Sequence, residues 1–381
     1  MLPLHPQPLS DEVLSSWMVR LAFANGYPLH TFYAALLRHK EPIWNRDIDR
    51  HPSPSLINLL SQQTRQQPDA LQAMTLSAYN GVVFGNMPMI GNAPWILPVG
   101  VFHRTRRRAG MQFCPICLQL DVIPYFRRRW RLAFYAMCEH HFCVMHDGCP
   151  RCHSSIAFHR HGVGLKKSIP ENALRLCHHC MFDLRWSKPK YLNWPDPHSW
   201  IQLRSMLNFF DDGVWAVGSC TLPVGVPFFQ GLRALARMIY GRHGHHLRHQ
   251  LSKELGIPVA ERFSAKNIEF EFLCPEDRLV LMLTTFWLLE NWPARFVSTC
   301  KAVRFTRSRI AEVPTLLPYW LARIADEHLN YRPYWPNEDE VDSAVTYLLS
   351  RGQPITHHSL GNALGLSRES AITAWNLWRA Q

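Results

Sequence analysis

Apolar residues recur at helical spacing in the first and last thirds of the chain, and the pattern breaks down between them. Near the start, Val13, Leu14, Trp17, Met18, Leu21 and Ala22 fall three and four apart, which predicts an amphipathic helix. Ser10 is the expected N-cap, with Asp11 and Glu12 in the first turn, where the helix dipole favours negative charge. Asn25-Gly26 ends that helix and Pro28 sits just beyond it. Leu29, Phe32, Tyr33, Leu36 and Leu37 predict a second one. Helix, glycine turn and helix fit a helix-turn-helix and fit an ordinary helical hairpin equally well. Residues 81–101 are rich in glycine and proline with apolar residues between, the mark of an ordered crossing loop. Helical patterns resume at Ile201–Phe210, Leu232–Tyr240, Leu279–Leu289 and Leu316–Leu329. At the end, Val341–Leu349 predicts a helix. Ser359 is read as the cap of a second, Leu360–Leu364. Gly365 supplies a turn, and Ser367 would cap a third helix through Trp378. On that last helix Arg368, Glu369, Thr373 and Asn376 are expected outside. Ala371, Ile372, Trp375 and Leu377 are expected on the apolar side.

The 381 residues are 47% hydrophobic and 18% charged, enough to bury a sizeable core and too apolar for a disordered chain. Lys and Arg exceed Asp and Glu by 12, which points to a polyanionic partner such as DNA. The longest apolar run, Leu279–Leu289, is 11 residues, short of the roughly 18–20 a bilayer span requires, so no membrane association is expected. The start, MLPLHPQPLSDE, lacks the pattern of an export signal, and the cytoplasm is the expected compartment.

Eleven cysteines in such a compartment are better read as metal ligands than as disulfides, and eight lie between Cys114 and Cys180. Their spacing is Cys114-x2-Cys117, Cys138-x2-His141, Cys149-x2-Cys152 and Cys177-x2-Cys180. A two-residue turn presents both donors of a pair to the same side. Four pairs therefore make two complete tetrahedral zinc sites, each of the closed, structural kind. A sequential arrangement puts Cys114, Cys117, Cys138 and His141 on one ion and Cys149, Cys152, Cys177 and Cys180 on the other. It is favoured over cross-bracing because shorter loops cost less to close. Cys143-x2-His146 competes with Cys138-x2-His141, and the ligand set of the first ion stays open on this point. Cys220, Cys274 and Cys300 are isolated and expected in the core. His243, His245, His246 and His249 read as a solvated face. No H-E-x-x-H, deaminase, Walker A, G-x-S-x-G or G-x-G-x-x-G pattern occurs, so no catalytic residues are assigned and the chain is not expected to be an enzyme.

The string Cys114-Pro-Ile-Cys117, Pro124-Tyr125, Trp130, Cys138-x2-His141, Met145 and Cys149-Pro-Arg-Cys152 resembles the central signature of the TniQ/TnsD family of transposon target-selection proteins. The amino-terminal half agrees through Ser10-Asp11-Glu12, Leu14-Ser15-Ser16-Trp17, Arg20-Leu21-Ala22, Asn25-Gly26 and Trp44-x2-Asp47-Ile48-Asp49. The resemblance implies an adaptor between a recognised target and an AAA+ ATPase of the TnsC/TniB kind, which recruits the transposase. Longer members bind DNA themselves. Shorter ones work as dimers attached to an RNA-guided CRISPR effector complex, and this length is nearer the shorter class. A different class, the autonomous sequence-specific DNA-binding regulator, is the alternative.

Two arginine clusters bear on DNA. Arg104, Arg106, Arg107 and Arg108 precede the first knuckle and suit phosphate contact. Arg127, Arg128, Arg129 and Arg131 lie between its ligand pairs, interleaved with Phe126 and Trp130, and serve phosphate contact or folding alike. With Arg368, Thr373 and Asn376, the first cluster makes up the candidate nucleic-acid-binding set. The expected architecture is mainly α. An N-terminal helical domain (1–109) and a C-terminal helical domain (191–381, ending in a helix-turn-helix over about 340–381) flank a tandem structural zinc region (110–190).

Overall fold

Helices carry most of this computed structural model. It describes residues 1–380 apart from 42, 45, 103–104, 109, 162–172, 213, 218–219, 224, 264–267, 311–316, 331–333 and 367, and within 101–107 and 209–223 only the backbone. In order the elements are α1 (Leu14–Ala24); α2 (Leu29–Thr31), prolonged by a π-helical turn over Phe32–Leu36; α3 (Pro54–Thr64); α4 (Pro68–Ala73); strands β1 (Gly100–Phe102) and β2 (Thr105–Arg108); α5 (Pro115–Leu120); α6 (Pro197–Asp212); strands β3 (Val214–Val217) and β4 (Cys220–Pro223); α7 (Val226–Tyr240); α8 (His245–Leu255); α9 (Val259–Arg262); α10 (Pro275–Leu289); α11 (Ala294–Ala302); α12 (Arg307–Ile310); α13 (Tyr319–His328); α14 (Glu338–Ser350); α15 (His357–Leu364); and α16 (Arg368–Arg379). The two pairs of strands are separate antiparallel ribbons. Among the described residues no helix is long and apolar enough to cross a membrane.

The chain divides into two compact units. One comprises residues 1–305 with 309–324, the other 306–308 with 325–381. In the first, α1 is buried on nearly every side. Its start differs from the expectation. Val13, not Ser10, precedes the helix, and Asp11 lies outside it at φ 53°. The two acids are drawn away by arginines. Glu12, 2% exposed, takes both Nε and Nη2 of Arg20 at 2.8 and 2.6 Å and the Ser16 hydroxyl at 3.0 Å. Asp11 accepts from Arg129 Nε at 2.8 Å. An ion pair holds a carboxylate more strongly than a helix dipole does.

The cysteine-rich segment packs directly on these helices. Arg131, 2% exposed, donates to Asp47 at 2.6 and 3.0 Å and to Asp49 at 3.0 Å. Asp49 also accepts from the Ser15 backbone and hydroxyl at 2.9 and 2.8 Å. Phe126 N–H donates to Ser16 Oγ, and Val13 N–H to the Phe126 carbonyl, both at 3.0 Å. The crossing loop is ordered as expected. Leu97 N–H donates to the Arg131 carbonyl at 2.9 Å, and buried Trp95 contacts Phe134 and Phe270 edge-on. α10 is buried along almost its whole length, the fate its apolar run predicts.

The second unit contains a three-helix cluster. Val341, Ala344, Val345, Leu348, Leu360 and Ala374 are buried together, with Leu366, Trp375 and Trp378 packed against them. A capping box of Asn337 and Glu340 starts α14. α15 begins three residues earlier than expected. Thr356 is its N-cap, and Ser359 answers from the third helical position in a second capping box. Gly365 at φ 64° closes α15. A Cβ on Gly361 would stand 2.9 Å from that of Ala371, so glycine permits the close crossing of α15 and α16.

Replacing Arg131 with Met strands the buried carboxylate of Asp49 and the half-buried one of Asp47. It is expected to lower the stability of the metal-loaded protein in urea by about 3–5 kcal/mol. Arg185→Ala, at a partly exposed pair with Asp183, should change it by about 1 kcal/mol or less. An Arg131→Met protein as stable as the parent would remove this network from the fold's support.

Candidate metal centres and nucleic-acid face

Two groups of donors converge. The Sγ atoms of Cys114, Cys117 and Cys138 and a ring nitrogen of His141 all lie within 4.8 Å of one another, and so do the Sγ atoms of Cys149, Cys152, Cys177 and Cys180. Each group joins consecutive pairs of the sequence, as the sequential arrangement has it. His141 Nδ1 stands 3.3–3.5 Å from the three sulfurs of its group. In the second group, Cys149 and Cys180 are 3.7 Å apart and Cys152 and Cys177 are 3.6 Å apart. Thiolates about 2.3 Å from a tetrahedral zinc are about 3.8 Å from each other, so the donors are spaced for such an ion.

Local backbone geometry explains the convergence. At three of the four pairs, the residue after the second donor folds back: Phe142 N–H to the Cys138 carbonyl, His153 to Cys149 and Met181 to Cys177, at 2.8–3.0 Å. These residues sit at φ 54°, 58° and 60°. The left-handed turn brings the two donors of each pair to the same side. The Cys114 pair is built differently. Cys114 caps α5, with Pro115 at the first helical position and the Cys117 N–H directed at its sulfur.

The sulfurs cannot all ionise unaided. The thiols of Cys114 and Cys117, with backbone N–H groups of His140 and His141, hold Cys138 well below the usual thiol range. The Cys114 and Cys138 sulfurs, together with burial, push Cys117 far above it. At Cys152 burial opposes ionisation, but the Ser154 hydroxyl and N–H and the thiols of Cys180 and Cys177 bring the thiol down to about 6. A cation that bonds all the sulfurs resolves this conflict, because coordination deprotonates a thiol outright.

Cys143 is fully buried with its Sγ 3.5 Å from that of Cys114. It stands outside the four-donor group. His146 ladders with Phe113 through both backbone bonds and tilts against its ring. Of the isolated cysteines, Cys300 is buried, but Cys274 is exposed, because it caps α10 at the surface. The Cys220 side chain lies outside the described residues. The rings of His243, His245, His246 and His249 are exposed as expected.

The arginines between the first ligand pairs are committed internally. Arg127 forms a two-bond pair with Asp121 at 2.7 and 3.0 Å. Arg128 pairs with Asp11, Arg129 with Asp11 and Glu139, and Arg131 with Asp47 and Asp49. Their chemistry is folding rather than phosphate contact. In the preceding cluster, Arg104 lies outside the described residues, as does Ser367 before α16, and Arg106 and Arg107 are described only as backbone of β2. Arg108 is half-buried and donates to the Glu271 and Phe272 carbonyls at 3.0 and 3.2 Å. On α16, Arg368 and Asn376 are exposed, and half-buried Thr373 donates to the Glu369 carbonyl. Ile372 departs from the expected apolar side. It is 40% exposed and shares the outer face with Arg368 and Asn376, one turn from each.

Loading with zinc should give two ions per chain. Cys114→Ala and Cys177→Ala should each drop the count to about one by elemental analysis and lower the melting temperature. Cys143→Ala should keep both. Loss of an ion from Cys143→Ala, with both retained by Cys138→Ala, would transfer the ligand role to Cys143.

No curated protein matches this chain. Residues 3–145 match the TniQ family model, a segment that contains the first donor group and the carboxylates bound by Arg131 and ends before the second group. Over residues 3–145 the chain is therefore similar to TniQ, which fits a target-selection role associated with transposition.

Proposed function

We propose that the protein is a target-site adaptor. It engages a DNA target, or an RNA-guided CRISPR effector already bound there, and presents that site to an AAA+ ATPase regulator that recruits the transposase. The match of residues 3–145 to TniQ carries this reading. In it, two Zn2+ ions have a structural role, the first held by Cys114, Cys117, Cys138 and His141 and the second by Cys149, Cys152, Cys177 and Cys180. All four positions of each ion are filled, which suits support rather than turnover. The protein has no catalytic task of its own, works in the cytoplasm, and acts singly or as a homodimer.

DNA contact is assigned to α16, through Arg368, Thr373 and Asn376, and to Arg104, Arg106, Arg107 and Arg108. The exposed row Arg368, Ile372 and Asn376 supports this for α16. It offers a guanidinium, an apolar group that suits a thymine methyl, and an amide that suits adenine. The second reading, an autonomous DNA-binding regulator, draws on the same helix.

The decisive experiment is retention of an AAA+ ATPase of the TnsC/TniB kind on the tagged chain, with and without ATP and duplex DNA. The adaptor retains the ATPase, more so with ATP and DNA. Retention of a CRISPR effector assigns the RNA-guided branch. No retained partner, with nanomolar binding to one DNA site at physiological salt, establishes the regulator instead. Arg368→Ala with Asn376→Ala should weaken site-specific binding about 10- to 100-fold in a mobility-shift titration and leave ATPase retention unchanged.

A further inference from the structure

Among the described residues, a guanidinium in the first unit is buried with no carboxylate in direct contact, Asp147 acting on it only at a distance. Arg278 of α10 is 1% exposed. Its Nε donates to the Leu273 carbonyl at 3.1 Å, Nη1 to the Ala133 carbonyl at 2.8 Å and Nη2 to Gln112 Oε1 at 3.2 Å. All three acceptors are neutral. A buried charge is ordinarily paired, since desolvation without a counter-charge is costly. Burial lowers its pKa to about 10, which leaves it charged at neutral pH. Three bonds also leave two of its five N–H groups for another acceptor.

The same guanidinium borders a cleft of about 200 Å³. Arg108 lines it from β2, and Asp147, His153 and Ser155 line it from the hairpin around Cys149 and Cys152. Glu271 reaches it too, but its carboxylate is held by both Nη atoms of Arg233 and by the Trp95 N–H. Two guanidiniums therefore face exposed Asp147, which makes no direct ion pair among the described residues and acts on Arg278 and Lys190 at a distance, and the excess within the cleft is positive. The cleft is smaller than the roughly 300–1,000 Å³ of sites for drug-sized ligands, so it suits a single group rather than a whole nucleotide.

We propose that this cleft is an oxyanion site for one phosphate group, bound by Arg278 and Arg108 with the Ser155 hydroxyl alongside. The shared chemistry is a tetrahedral dianion, supplied by free inorganic phosphate or by the terminal phosphate of a nucleic-acid strand. A phosphate within a smooth duplex would not reach a guanidinium so deeply set. The assignment is independent of the adaptor reading and holds for any role of the protein.

The test uses the full-length zinc-loaded protein and inorganic phosphate, with ionic strength held constant by chloride and the melting temperature as readout. A saturable rise is expected. Asp147→Asn, which removes the opposing charge at the rim, should tighten phosphate binding about threefold to tenfold, and Arg108→Gln should weaken it about tenfold or more. Arg278 also ties α10 to Ala133 and Gln112, so the two rim variants carry the test. Competition with a short 5′-phosphorylated strand and its 5′-hydroxyl counterpart separates the sources. A strong advantage for the phosphorylated strand over inorganic phosphate assigns a strand end, and none assigns the free ion. A rise no larger than that in chloride, or one apparent affinity shared by parent and both variants, overturns the site.

Discussion

Arg131 is the residue on which the first 150 positions lean. It belongs to the cysteine-rich segment, yet both carboxylates that neutralise it come from the loop after the helical hairpin. Asp49 in turn is fastened by Ser15 at the start of α1. A guanidinium in so dry a place is tolerable only while its partners stay in position. The helices therefore cannot move from the cysteine-rich segment without leaving two buried charges and the half-buried Asp47 unmatched. Neighbouring arginines repeat the arrangement: Arg129 spans Asp11 and Glu139, and Arg20 closes on Glu12. Residues far apart in sequence become one rigid platform through arginine–carboxylate bonds, and the donor groups are built upon it.

Much of this is legible in the sequence. The pair spacing of cysteines and His141 foretold both donor groups, because a two-residue turn leaves little choice about which atoms meet. α1, α10 and the last three helices followed from apolar period and turn residues. The ion network was not legible. Asp11 and Glu12 carry the local signature of a helix start, and nothing near them announces Arg129, more than a hundred positions away, or the reach of Arg20 back along α1. Tertiary pairing overrode a local rule there. Ser359 was misplaced by a smaller margin, since Thr356 three residues earlier satisfies the same capping chemistry and the pattern allows either. Ile372 shows the limit of periodicity alone: its outward position is set by where Gly361 and Ala371 let two helices touch.

The guanidinium of Arg278, bonded only to neutral acceptors among the described residues, was equally invisible to sequence. It lies in a helix whose apolar run looks uniformly like core, and its anomaly appears only when its neighbours are known. Its bonds to Ala133 and Gln112 also join α10 to the platform, within the unit that comprises residues 1–305 and 309–324.

The two donor groups differ in how they meet solvent. The sulfurs of the first belong to buried residues, while Cys152 and Cys180 of the second are only partly covered. Depth governs how fast a competing chelator can approach. An ion held by the second group would thus be the more open to a chelator, and one held by the first the better shielded, so that loss would follow an order. Under scarcity the molecule would pass first through a form with its platform whole and its outer hairpins loosened, a graded loss rather than a single collapse.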